Sequence, residues 1–134
     1  MEINKQILVI EDNPSNLYLM QYLLGKHGYT AIEADTGLKG IDLALTSKPL
    51  AIILDIQLPE MDGYEVAKAI RAYSSLDDTP IIAVTSYAMI GDRENAIAAG
   101  ASAYIEKPIN PDTFIREIES HIQEYSERSK LCES

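Results

Sequence analysis

Five times along this chain a short apolar run rich in branched residues gives way to an amphipathic stretch, and no other feature restricts the fold as much. Gln6-Ile7-Leu8-Val9-Ile10, Leu50-Ala51-Ile52-Ile53-Leu54 and Pro80-Ile81-Ile82-Ala83-Val84 are apolar on successive residues. A strand with one wet face alternates apolar and polar residues, whereas a strand without alternation is buried on both faces. Residues 29–34 and 102–105 read as weaker strands of the same sheet. Between them, Asn13-Pro14 offers a cap followed by proline at the first helical position, with Leu17, Met20, Leu23 and Leu24 turned inward and a stop near Gly28. A second helix over 36–46 is capped by Thr36 and weakened by Gly37 and Gly40. A third carries Val66, Ala67 and Ile70 on its inner face, and an alanine-rich fourth spans about 89–99. Asn110-Pro111-Asp112 repeats the cap-then-proline signal, and Phe114, Ile118, Ile122 and Tyr125 follow at helical spacing. The polar residues after about Glu127 are expected to fray.

Parallel strands need crossover connections, and right-handed crossovers limit how they can be laid side by side. The expected architecture is therefore an α/β fold: a doubly wound five-stranded parallel sheet of order 2-1-3-4-5 between two helical layers, flavodoxin-like in plan. One domain over residues 1–134 is expected, with its core in about 5–125. Charge then narrows the partners. Eleven Lys and Arg against 21 Asp and Glu leave a net charge of −10, which repels nucleic acid and anionic lipid and favours proteins or cations. The single cysteine, Cys132, permits no intrachain disulfide and reads as an incidental thiol. No apolar run is long enough to cross a bilayer, and no secretory signal is evident, so a cytoplasmic location is expected.

In such a sheet the functional crevice lies beyond the carboxyl ends of the strands, at the switch between the first and third. Glu11 and Asp12 end the first strand, Asp55 the third, Thr85 the fourth and Lys107 the fifth. Three carboxylates brought together repel one another and push their pKa values upward, and one lysine offsets only part of that charge. A divalent cation would offset the rest. Oxygen-only donors favour Mg²⁺, Mn²⁺ or Ca²⁺ over zinc, and few protein donors favour Mg²⁺, which keeps several waters. Histidine is not among the strand-end residues, since His27 and His121 fall on helices away from the crevice. What remains is a nucleophilic carboxylate, a cation site, a lysine and a hydroxyl. Those are the parts for accepting a phosphoryl group, which needs neutralised charge and in-line positioning more than a base.

Ile-Glu-Asp-Asn (10–13), Asp-Ile-Gln-Leu-Pro-Glu-Met-Asp-Gly (55–63), Ala-Val-Thr-Ser (83–86) and Tyr-Ile-Glu-Lys-Pro (104–108) together resemble the signature set of CheY-like response-regulator receiver domains. The likeness spans residues 5 to about 125 and is similar in detail to stand-alone receivers of the DivK type and to receivers of hybrid histidine kinases. The resemblance implies that Asp55 is the phosphoacceptor, with Mg²⁺ (or Mn²⁺) held by Glu11, Asp12, Asp55 and the backbone carbonyl of Gln57. It implies that Lys107 pairs with Asp55 and then with a phosphoryl oxygen, that Thr85 bonds the phosphoryl group, and that Tyr104 switches position with Thr85. It also implies a cis Lys107–Pro108 bond, and side chains at Gln57 and Tyr87 that set how long the phosphoryl group survives. The implied donor is a histidine kinase or histidine phosphotransfer protein, and the implied output is binding of a downstream protein target, with no nucleic acid or membrane involved. Such a chain is not an enzyme in the turnover sense.

Singly, each of these residues has a plainer role: Glu11-Asp12-Asn13 as an acidic helix start, Asp55 as a turn residue, Thr85 as a helix cap, Lys107 as a solvated charge, Tyr104 as a half-buried strand aromatic. Their joint placement at strand ends favours the functional role. Two alternatives differ in kind. A Mg²⁺-dependent phosphohydrolase with an aspartyl nucleophile would carry a second acid two residues after the first, where Gln57 stands. An unphosphorylated interaction scaffold would lack the acid pair, Asp55 or Lys107. Tyr18 and Tyr22, one helical turn apart, either cover the sheet or form an exposed patch for a partner.

Overall fold

The computed structural model describes residues 5–58, 61–85 and 92–133. Five strands, β1 (Gln6–Ile10), β2 (Thr30–Ala34), β3 (Ala51–Asp55), β4 (Ile81–Thr85) and β5 (Ala103–Glu106), pair in parallel in the order β2-β1-β3-β4-β5. They alternate with α1 (Pro14–Lys26), α2 (Gly37–Ser47), α3 (Gly63–Arg71), α4 (Asp92–Ala99) and α5 (Phe114–Glu133), and a short 3₁₀ turn over Ser74–Leu76 precedes β4. This is the architecture the apolar runs predict.

The continuous apolar strands serve two separate cores. Leu8, Ile10, Ile52, Leu54, Ile81 and Ala83 face α2, α3 and α4, where Ala44, Val66, Ala67, Ile70, Ala96 and Ala99 meet them. Ile7, Val9, Ile53, Ile82 and Val84 face α1 and α5 and pack on Met20, Leu23, Leu24, Phe114, Ile115 and Ile118. Neighbouring residues of one strand point to opposite faces, so burial of both faces demands an apolar side chain at every position. All five residues of β3 and of β4 are buried, and they are apolar up to Asp55 and Thr85 at the carboxyl ends.

Local signals set most helix starts. Asn13 caps α1, its side chain accepting from the N–H groups of Ser15 and Asn16. Thr36 and Asp62 cap α2 and α3 in the same way. At α5 the outcome differs from the sequence expectation. Asn110 Oδ1 accepts from the N–H of Asp112, and its carbonyl accepts from Thr113 and Phe114, so Pro111 belongs to a turn and the helix opens at Phe114. At its far end α5 extends to Glu133. Side-chain pairs one turn apart, Gln123 with Glu127 and Glu124 with Arg128, support its later turns. Tyr18 and Tyr22 are 70% and 56% exposed, which settles their placement as an outward aromatic patch on α1.

Candidate functional site

Parallel register aligns the carboxyl ends of the strands. Ile10 lies beside Leu54 and Asp55 beside Val84, while Thr85 lies beside Glu106. The residues just past these pairs therefore come together at one edge of the sheet. Glu11, Asp12, Asn13, Pro14, Asn16, Asp55, Gln57, Lys107 and Pro108 line one cleft there. Glu11, Asp12 and Asp55 each offer a carboxylate oxygen within 4.8 Å of the others.

The members of this cluster differ in solvation. Glu11 is 1% exposed and Asp55 3%, whereas Asp12 is exposed. Burial first, and then the charge of Asp55, holds the Glu11 carboxyl above the ordinary carboxylate range, with Lys107 pulling it back. Lys107 Nζ lies 3.1 Å from Glu11 Oε2 and 3.3 Å from Asp55 Oδ1, so one ammonium is shared between two buried carboxylates. Asp55 Oδ1 also accepts from the backbone N–H of Gln57 at 3.0 Å. The N–H of Lys107 donates to the Thr85 carbonyl, tying the ends of β4 and β5 together.

Gly63, the first residue of α3, is held close to the end of β3. The N–H of Gly63 donates to the Ile56 carbonyl, and a Cβ at position 63 would sit 2.5 Å from Ile56 Cα and 2.8 Å from the Asp55 carbonyl oxygen. Only glycine fits so close to that backbone. The start of α3 is thereby packed directly under Asp55.

The structure brings together Glu11, Asp12, Asp55, Gln57 and Lys107. Thr85 is buried at the end of β4, and Tyr104 is half-buried against the core on the α2–α4 side. His27 and His121 are away from the cleft, His27 bonded to the Leu23 carbonyl and His121 facing Glu124. The Lys107–Pro108 bond is cis. Tyr87 lies outside the described residues. Sequence reasoning passed over Asn16 and the direct Glu11–Lys107 pair. A polar residue one turn into the helix that follows the acid pair was the available signal for Asn16.

The donor set is all oxygen, partly buried, and carries more negative charge than one lysine offsets, so it suits a hard divalent cation. The profile of the response regulator receiver domain matches residues 7–119, and the chain belongs to that family. It is 42% identical to the polar-differentiation response regulator DivK of Brucella anthropi over 118 residues, 88% of this chain and 96% of that one. Among solved structures it is similar to the receiver domain of a sensor histidine kinase from Pseudomonas aeruginosa, which has a magnesium ion coordinated in its active site cleft. That likeness has a TM-score of 0.82 and 34% identity over 90% of this chain and 99% of the other. A CheY-like receiver domain protein from Methanospirillum hungatei gives a TM-score of 0.85 at 28% identity, covering 94% and 99%. Receiver domains are phosphoacceptors of two-component signalling, not turnover enzymes, and this assignment displaces the phosphohydrolase alternative. Among the described residues no helix is long and apolar enough to cross a membrane.

Proposed function

We propose that Asp55 accepts a phosphoryl group from a histidine kinase or histidine phosphotransfer protein in the cytoplasm, and that the modified domain switches its binding to a downstream protein. The observation that carries this reading is the position of Asp55: almost fully buried, 3.3 Å from Lys107 Nζ, and within reach of two further carboxylates. A buried carboxylate that only closed a turn would want the lysine as its counter-charge but would gain nothing from two further acids beside it.

Gln57 N–H and Lys107 both engage Oδ1, so the attack on phosphorus comes from Oδ2. The new O–P bond forms as the P–N bond of the donor phosphohistidine breaks, and the imidazole leaves with the electron pair. Glu11, Asp12, Asp55 and the Gln57 carbonyl would hold Mg²⁺ or Mn²⁺, which supplies charge neutralisation for the phosphoryl oxygens. Lys107 then pairs with a phosphoryl oxygen, the Thr85 hydroxyl bonds another, and Tyr104 switches position with Thr85. The family resemblance implies that the side chains at Gln57 and Tyr87 set how long the phosphoryl group survives. A bulky ring at position 87 slows hydrolysis and suits a stable switch or relay.

Intact-mass measurement with acetyl phosphate and Mg²⁺ tests the assignment. The wild type should gain one phosphoryl increment, and Asp55→Asn none. An equal increment in Asp55→Asn, or undiminished transfer with a chelator present, would overturn it.

A further inference from the structure

Asn16 sits one turn into α1, half-buried, and lines the same cleft as Asp12, Asp55 and Lys107. Side chains of a helix lean back toward its N-terminus, so a residue in the first turn can reach the strand end that precedes the helix. Asn16 does so: its Nδ2 donates to Glu11 Oε1 at 3.4 Å. The same oxygen accepts from the backbone N–H of Asn13 at 3.3 Å and faces Lys107 Nζ at 3.4 Å, while Oε2 meets Lys107 at 3.1 Å. The Glu11 carboxylate is thus held from two sides, by the start of α1 and by the lysine.

Lys107 has two buried carboxylates to serve. Without the donors on the helix side, Glu11 would depend on the ammonium alone, and closer pairing would draw Lys107 away from Asp55. Helix formation does not call for asparagine here, since leucine, alanine or glutamine would favour the helix more. We propose that Asn16 is a positioning residue: its amide holds Glu11 toward the cation site and leaves Lys107 shared with Asp55. This rests on the reading above, in which Glu11, Asp12 and Asp55 take Mg²⁺.

The test uses three variants of the full chain. Asn16→Leu keeps the volume and removes the donor, Asn16→Ala removes it without adding bulk, and Asn16→Gln retains an amide. Mg²⁺ is titrated while backbone amide shifts of Asp12 and Asp55 are followed, and the metal-free melting temperature is recorded for each. Loss of one hydrogen bond to a charged group should weaken Mg²⁺ binding by about fivefold in the Leu and Ala variants. Their metal-free melting temperatures should fall by only about 3–5 °C, since Glu11 keeps its Asn13 and Lys107 donors, and Asn16→Gln should recover most of the affinity. Unchanged Mg²⁺ affinity in the Leu and Ala variants overturns the proposal while the cation reading stands, as does an equal loss in the Gln variant. A wild type whose Asp12 and Asp55 amides ignore Mg²⁺ overturns both.

Discussion

Lys107 and Glu11 face each other across the cleft, Nζ to Oε2 at 3.1 Å, although 96 residues separate them in the chain. The lysine that the family resemblance assigns to Asp55 therefore also neutralises the most buried acid of the site. Its removal should expose two carboxylates to mutual repulsion in a poorly solvated place.

Lys107→Ala should accordingly lower metal-free stability at neutral pH by about 3 kcal/mol, because a buried charge loses its partner. Mg²⁺ should raise the melting temperature of the wild type, by roughly 3–5 °C for each tenfold excess over its Kd in a domain of this size. The rise should be larger in Lys107→Ala, where more repulsion is relieved. Thermal melts with and without Mg²⁺ check this; a smaller rise in the variant would count against charge relief as the source.

Thr85 ends β4 beside Asp55's neighbour Val84, and Tyr104 lies one residue earlier on the adjoining strand than Ile105, the partner of Val84. Thr85→Ala should still gain the phosphoryl increment, since the hydroxyl is not the nucleophile. It should lose the phosphorylation-dependent chemical-shift changes around α4 and β5. Identical shift changes in variant and wild type would disprove the coupling.

Tyr29 joins the start of β2 to α5. Its hydroxyl donates to Glu119 at 2.6 Å, and Lys5 Nζ lies 5.2 Å from its ring centroid. Burial, and then the bond and charge of Glu119, push its pKa from 10.0 up to about 12. Between those values the unfolded chain has released this proton and the folded chain has not. The contribution is therefore fully present below pH 10 and is lost as pH rises toward 12. Spectroscopic titration of tyrosinate should show a late-ionising component that disappears in Tyr29→Phe, and the variant should lose less stability across that window than wild type.

Arg71, at the end of α3, donates to the carbonyls of Gly100 and Leu76 at 2.9 Å and to Ser102 Oγ at 3.2 Å, and lies 5.5 Å from the Tyr125 ring centroid. Burial holds its guanidinium below the usual arginine range. One side chain thus joins α3, the 3₁₀ turn, the α4–β5 connection and α5, at the end of the sheet opposite the cleft. Arg71→Ala should cost about 2–4 kcal/mol, since two carbonyls lose charged donors at once. Denaturant melts measure the loss; Arg71→Lys should recover only a fraction, because an ammonium cannot reproduce the planar fork.

The strands, their parallel pairing and the cleft at their carboxyl ends were legible in the chain because each depends on local pattern. Unbroken apolar runs mean two buried faces, Asn13-Pro14 means a helix start, and acids placed directly after strands come to one edge in any doubly wound sheet. The tertiary structure alone decided which groups within that edge touch. Glu11 turns into the cleft to meet Lys107 and Asn16 while its neighbour Asp12 stays in solvent, a difference set by which way each side chain leaves the end of β1. At Asn110, two locally similar signals parted company: the cap that starts α1 at Pro14 here closes a turn, and Phe114 begins the helix. Gly100, at φ +119°, could be read as a helix stop, but not as the surface on which Arg71 rests, 2.5 Å from where a Cβ would stand. Local spacing encodes periodicity and caps; contacts between residues 29 or 96 positions apart depend on packing that only the folded chain creates.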